Sequence, residues 1–253
     1  MTPIDSLEEV SQVYESDRLL GEYLLFHYGD AKEQFPWTDG PKEALGFPSR
    51  SVLELVDTNA PVHSALDLGC AVGKSSFVLA ELANRVIGID YSESFIRAAR
   101  TILKGGKLNY QYLEEGCHLK EGIVEISNPP ENLTFERGDA CDLRTDLESF
   151  DLVHAANLLC RLPDPKILLN RLPQLVKPGG QLLLTTPFTW LEEFTPQGNW
   201  LDQGGSDNAL KNFLSPEFEL EQEKNLPFLI REHRRKFQYT VALGMRWRRK
   251  GSV

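Results

Sequence analysis

Short, mostly apolar runs recur along the chain near 64–69, 86–90, 133–136, 151–156, 181–186, 217–223 and 237–247, each with the makeup of a buried strand. Amphipathic stretches of helical period separate most of them. That alternation predicts a mostly parallel sheet with helices on both faces. Ahead of the first strand, apolar residues at 19, 20, 23, 24 and 26 keep a helical period, and Gly29 is a fitting stop. One interruption stands out between 105 and 130. Two β-rich runs there, 108–113 and 122–126, flank Glu-Glu-Gly-Cys-His and predict an inserted hairpin. Further on, Asp164 reads as a helix N-cap with Pro165 at the first helical position, and Pro173 should kink or shorten that helix before Pro178-Gly179-Gly180. The expected organisation is a single domain over 1–253, with a helical cap over 1–50 and a sheet core over 51–253 that carries the insertion 105–130.

Composition narrows the classes. With 253 residues, 41% of them hydrophobic, the chain can bury one substantial core. A net charge of −10 argues against general nucleic-acid binding, and no apolar run has the length of a membrane span. The acidic start Met1-Thr2-Pro3-Ile4-Asp5 has no basic and apolar signal regions, so a cytoplasmic protein is expected. Cys70, Cys117, Cys141 and Cys160 form no C-x-x-C pair, and the five histidines add no ligand spacing. Neither a disulfide nor a metal site is expected.

The most specific local pattern is Ala65-Leu66-Asp67-Leu68-Gly69-Cys70-Ala71-Val72-Gly73-Lys74, followed by Val86-Ile87-Gly88-Ile89-Asp90. A strand, a glycine turn, a helix and a second strand ending in a carboxylate build a nucleoside crevice: Gly69 and Gly73 permit the turn, and Asp90 is placed to accept from ribose hydroxyls. An ATPase phosphate loop needs four residues between its glycines, and here there are three. The dinucleotide pattern G-x-G-x-x-G has no match either. What remains resembles the turn of class I S-adenosylmethionine-dependent methyltransferases, with Ala71 in place of the commoner middle glycine. The resemblance implies a Rossmann-like, seven-stranded α/β sheet with an antiparallel last strand. It implies S-adenosylmethionine as cofactor, leaving as S-adenosylhomocysteine. It assigns the cofactor to Asp67, Gly69, Cys70, Ala71 and Gly73, to Asp90 and Tyr91, to Asp139, Ala140 and Cys141 after the third strand, and to Asn157 after the fourth. His154, inside that fourth strand among apolar neighbours, reads as a hydrogen-bonded core histidine.

Four segments together resemble a narrower family: 14–29, the turn 67–73, the stretch 157–165 from Asn157 to Pro165, and the loop 186–196 from Thr186 to Pro196. They are similar to the 5-thiohistidine (4-mercaptohistidine) N-methyltransferases of ovothiol biosynthesis. The resemblance implies methyl transfer to the imidazole Nπ of 5-thiohistidine and a functional link to a separate or fused sulfoxide synthase. Asn157, His27, Tyr28 and Glu192 are then candidates for tautomer selection and proton removal. Tyr14, Arg18, Tyr28, Trp190, Arg231 and Arg234 are candidates for substrate contact, an arginine holding the substrate carboxylate. Another small-molecule methyltransferase, and a cofactor-binding protein without catalysis, remain the alternatives.

Overall fold

Ser16 opens the described chain, residues 16–251 of a computed structural model, by capping a helix: its hydroxyl accepts the Leu19 amide at the start of α1 (Asp17–Tyr28). Gly29 ends that helix, as its position in the sequence suggests. Asp30 and Glu33 close a capping box on the single turn α2 (Ala31–Gln34), and left-handed Gly46 starts α3 (Phe47–Leu53). The alternation then follows as β1 (Val62–Leu68), α4 (Lys74–Leu82), β2 (Ala83–Asp90) and α5 (Glu93–Gly105). The insertion is the hairpin β3 (Lys107–Glu115) and β4 (His118–Glu125). After it come β5 (Leu133–Arg137), β6 (Phe150–Ala156), α6 (Pro165–Leu175), β7 (Val176–Thr186), α7 (Ser206–Leu214), β8 (Phe218–His233) and β9 (Lys236–Arg249). Asp164 caps α6 through the Lys166 amide at 2.9 Å.

Seven strands form one sheet in the order β5-β2-β1-β6-β7-β9-β8. The first five are parallel; β9 runs antiparallel to both β7 and β8. The chain order reverses between β1 and β6, so the connections leaving those strands diverge and open a crevice at the carboxyl edge. One face of the sheet packs Leu24, Leu25 and Phe26 of α1 with Val52 of α3, Leu79 of α4 and Ile96 of α5. The other packs Leu168, Leu169 and Leu172 of α6 with Leu210 and Leu214 of α7. This is the Rossmann-like methyltransferase fold.

Two expectations about the C-terminal half need correction. Strand β7 begins at Val176, so Pro178-Gly179-Gly180 lies within it, where its pairing with β6 shifts register. The strand ranges 217–223 and 237–247 leave Arg231 and Arg234 in a connection between the last two strands; instead β8 continues to His233 and β9 starts at Lys236. Pro227 does not stop β8 because that strand is the edge of the sheet, where a missing N–H costs no ladder bond, and Leu226, Phe228 and Leu229 keep burying apolar surface. Arg231 therefore belongs to a strand, and Arg234 to the tight turn after it.

Candidate active site

The carboxyl ends of β1, β2, β5, β6 and β7 surround a cavity of about 320 Å³ whose walls include Gly69, Asp90, Asp139, Asn157 and Pro187. Its far side is closed by α1, α3 and β8. Each parallel strand ends at this rim and hands its next residue to the site, as an open α/β sheet requires.

The turn after β1 is shaped for close approach. Gly69 has φ 68°, and a Cβ there would sit 3.0 Å from the Leu158 side chain; Gly73 has φ 92° and lies against the Phe135 ring. Ala71 and Asn157 also adopt positive φ, 48° and 53°, at a cost of about 1–2 kcal/mol for a residue with a Cβ. Asp90 holds the turn in place: one carboxylate oxygen accepts the Ala71 amide at 2.8 Å and the other the Ser92 amide at 2.9 Å. A carboxylate at this rim is an acceptor of the kind that ribose hydroxyls bond. Asp139 accepts the Cys141 amide at 2.7 Å, which orients the loop that presents Ala140. The Thr185 hydroxyl donates to Asn157 Oδ1 at 3.0 Å, so the amide NH₂ end is the one able to serve a ligand acceptor. These donors and carboxylates fit a nucleoside joined to an amino acid, and Gly69, Ala71, Asp90, Asp139, Ala140 and Asn157 would hold S-adenosylmethionine.

The other half of the cavity is aromatic. Phe47 and Phe228 rings meet at 4.8 Å, Tyr23 and Phe95 at 4.7 Å, and Phe26 joins them. His27 stacks on Tyr23 and is itself a lining residue; its Nδ1 is buried without a hydrogen-bond partner. Burial pushes its pKa down to about 3, against the opposing pull of the Asp67 charge, so the ring is neutral at physiological pH. Two charged residues complete the lining. Arg161 lies 4.6 Å over the Phe194 ring and donates to the Cys160 and Thr189 carbonyls, with no carboxylate at ion-pair distance among the described residues. Glu193 supplies the opposite sign.

Sequence reasoning placed Gly69, Ala71, Asp90, Tyr91, Asp139, Ala140, Asn157 and His27 on this cavity, and the structure brings them together. It puts others elsewhere. Asp67 is buried below the floor, accepting from Ser75 and Ser76 at 2.7 and 2.6 Å and bonded to His154, so it braces the turn. Cys70 packs inward, where burial pushes its thiol well above the usual range, and Cys141 is raised to about 11 by burial beside the Asp164 carbonyl. The Tyr28 hydroxyl donates to the Val72 carbonyl at 2.8 Å and fastens α1 to the cofactor turn instead of facing the cavity. Arg18 is exposed and paired with Glu22; Trp190 donates to Ser206 and packs under the loop. Glu192 is exposed and does not line the cavity, whereas its neighbour Glu193 does. Arg231, 4% exposed, is ion-paired to Glu114 of the inserted hairpin and donates to the Glu33 carbonyl; Arg234 approaches the same carboxylate at 3.7 Å and covers Trp37. Tyr14 lies outside the described residues. Ser51, Phe47, Arg161, Glu193 and Phe228 are lining residues that sequence reasoning did not assign to the site.

Residues 66–184 match the sequence family described as "Methyltransferase domain". Among curated proteins, the chain is 29% identical over 150 residues to a ubiquinone biosynthesis O-methyltransferase of Xanthomonas euvesicatoria, covering 58% of this chain and 54% of that one. It is 31% identical over 121 residues to the enzyme of that name in Coxiella burnetii, covering 48% and 42%. The chain thus spans about half the length of the curated relatives it matches. A similar solved structure is the N-methyltransferase NodS of Bradyrhizobium japonicum in complex with S-adenosylhomocysteine, with TM-score 0.53, 16% identity and coverage of 81% and 84%. No helix among the described residues is long and apolar enough to cross a membrane. Residues 66–184 thus match a methyltransferase domain, the fold is the Rossmann-like one of such enzymes, and the domain match and the curated relatives support an S-adenosylmethionine-dependent methyltransferase.

Proposed function

We propose that the chain methylates a ring nitrogen of a small heteroaromatic amino acid, and that this acceptor is 5-thiohistidine, methylated at Nπ to give ovothiol A. S-Adenosylmethionine, when bound, supplies a methyl on a positively charged sulfur. The observation that carries the reading is an aromatic chamber, continuous with the cofactor crevice, that holds a neutral imidazole and one side chain of each charge. The touching rings of Phe47 and Phe228 form an apolar wall against which a flat acceptor can pack; Arg161 can take an α-carboxylate and Glu193 an α-ammonium. Neutral His27 can bond the acceptor's ring N–H and so select the tautomer whose lone pair faces the methyl. Orientation is the main demand of an in-line displacement, since near-attack placement alone can supply about 7–11 kcal/mol of the barrier. The sequence likeness to thiohistidine methyltransferases in 14–29, 157–165 and 186–196 supports the finer assignment, and with it the link to a sulfoxide synthase.

A second reading rests on the curated relatives, which are named as O-methyltransferases. The same flat chamber would accept a phenol. Purified protein with methyl-labelled S-adenosylmethionine is to be offered 5-thiohistidine, histidine and a catechol in parallel. Label on the thiohistidine ring nitrogen is expected. Label on the catechol but not on thiohistidine moves the assignment to O-methylation. S-Adenosylhomocysteine binding by calorimetry with no labelled product on any acceptor would make the chain a cofactor-binding protein without this catalysis.

A further inference from the structure

Among the described residues, the cavity has a single cationic side chain on its wall, Arg161, half-buried at the end of the short 3₁₀ turn Leu159–Arg161 that follows β6. All of its hydrogen bonds leave from Nη1, which donates to the Cys160 carbonyl at 3.1 Å, to the Cys160 sulfur at 3.8 Å and to the Thr189 carbonyl at 3.2 Å. The Phe194 ring, 4.6 Å from the guanidinium carbon, steadies the group from one side. Nε and Nη2 have no partner among the described residues. Neither is enclosed: the buried polar atoms that lack a partner include Nε of Arg231 but no atom of Arg161. Two N–H groups on one reachable edge of a guanidinium, with the group already held elsewhere, match a carboxylate. We propose that Nε and Nη2 of Arg161 bind the acceptor's carboxylate side-on, and that this pair makes the enzyme select an amino acid over the same ring without a carboxylate. The assignment rests on the reading above, that the acceptor is an amino acid.

Strand order places the cation beyond the cofactor. The sequence β5-β2-β1-β6-β7 along the rim carries Asp139, then Asp90, then the glycine turn, then Asn157. A cofactor lying along those residues has its nucleoside toward β5 and its amino-acid end toward β6. Arg161 comes after Asn157, and its contacts run on to Thr189 and Phe194 in the connection after β7, away from the nucleoside. The aromatic wall faces it from the other layer. Phe26, Phe47 and Phe228 belong to the core on one face of the sheet, whereas Leu159 and Leu162, on either side of Arg161, belong to the core on the other. An acceptor whose ring packs on that wall and whose carboxylate meets Arg161 therefore spans the edge of the sheet past Asn157, where the methyl group would be presented. Glu193 lines the same cavity without an ion pair to Arg161, which leaves both charges for the two ends of one zwitterion. Because Nη1 and Phe194 already restrain the guanidinium, binding loses less side-chain freedom than a loose surface arginine would. The same contacts also tie the connection after β6 to the one after β7, a structural task that has to be separated from recognition.

Paired acceptors separate them. The unmodified chain, Arg161→Met and Arg161→Lys are to be assayed for kcat/KM on 5-thiohistidine and on the amine with the same ring and no carboxylate, alongside the Kd for S-adenosylhomocysteine and the melting temperature. The unmodified chain should prefer the amino acid by about 10–100-fold, the reach of a charge-assisted hydrogen-bonded pair. Arg161→Met should lose that preference: its value on the amino acid falls to near that on the amine, while the amine's own value changes by less than about threefold. Arg161→Lys keeps the charge without the fork and should fall between, and it carries the test if the methionine variant does not fold. Equal losses on both acceptors, with the preference unchanged, would make Arg161 a loop tie and overturn the assignment. A Kd for S-adenosylhomocysteine raised tenfold or more, again with the preference unchanged, would put the cofactor's carboxylate on Arg161 and overturn it too. An unmodified chain that methylates a catechol and neither of the paired acceptors refutes the amino-acid reading, and the assignment with it, a result visible before any residue is replaced.

Discussion

Gly21, in the middle of α1, should be the least replaceable position of the N-terminal cap. By helix propensity alone, Gly21→Ala would stabilise an interior turn by about 1 kcal/mol. The structure predicts the opposite sign. A methyl built on Gly21 overlaps the backbone carbonyl oxygen of Gln111 in β3, and neither partner is a flexible side chain that could swing away. Gln111 is held in register with Glu121 of β4, so the helix must be the element that moves. Restoring an ordinary C···O separation of roughly 3.3 Å requires it to retreat by about 1.4 Å. A gap of that size forfeits about half or more of the dispersion energy along the face carrying Leu24, Leu25 and Phe26. Overpacking of this kind costs about 1–3 kcal/mol, which outweighs the propensity gain. A net loss near 1 kcal/mol corresponds to a melting temperature lower by about 2–4 °C for a chain of this size. Because Tyr23, Phe26 and His27 line the acceptor half while Gly69, Asp90 and Asp139 lie on other elements, acceptor KM should rise with little change in S-adenosylhomocysteine affinity. Thermal unfolding and calorimetry measure both. A variant with a raised melting temperature and unchanged KM would refute the close approach of α1 to the hairpin.

Three further outcomes are expected. Asp90→Ala should raise the Kd for S-adenosylhomocysteine by about tenfold or more, the loss of a charge-assisted hydrogen bond; unchanged affinity by calorimetry would remove Asp90 from the ribose. Arg231→Met breaks a buried pair and should cost about 3 kcal/mol in denaturant unfolding, at the low end because Arg234 and Lys120 still face Glu114 at 3.7 and 3.6 Å; unchanged stability with a tenfold rise in acceptor KM would instead make it a substrate anchor. For His27, the folded pKa of about 3 lies below the unfolded value of 6.5, so the unfolded chain binds the extra proton. The contribution is full above pH 6.5 and is lost as pH falls toward 3, so moving from pH 7 to 5 should cost about 2 kcal/mol, and His27→Gln should remove that loss. Equal acid sensitivity of the two proteins in urea titrations would show that the ring is not buried neutral.

Legibility in the sequence followed the range of the interactions involved. The turn 67–73, Asp90, Asp139 and Asn157 could be read because each sits immediately after a strand, and strand order alone carries those positions to one edge. The sign of His154 could be read as well, since a polar residue inside an apolar strand must find a partner. Its partner could not: Asp67 lies directly opposite on β1, but Ser51 comes from α3, 103 residues away, and only packing of that helix onto the sheet joins them. The arginines were misplaced for a different reason. Pro227 looks like the end of a strand unless the strand is known to be an edge, and once β8 runs through it Arg231 is drawn under the inserted hairpin to meet Glu114. The insertion thereby acquires a structural task. Glu114 of β3 ties the β8 end to the hairpin, Gly21 lets α1 lie against β3, and Tyr28 latches the far end of α1 to Val72 in the cofactor turn. A displacement of the hairpin would therefore be felt first by the acceptor wall that α1 and β8 provide, through Phe26, His27 and Phe228, and only afterwards by the cofactor turn.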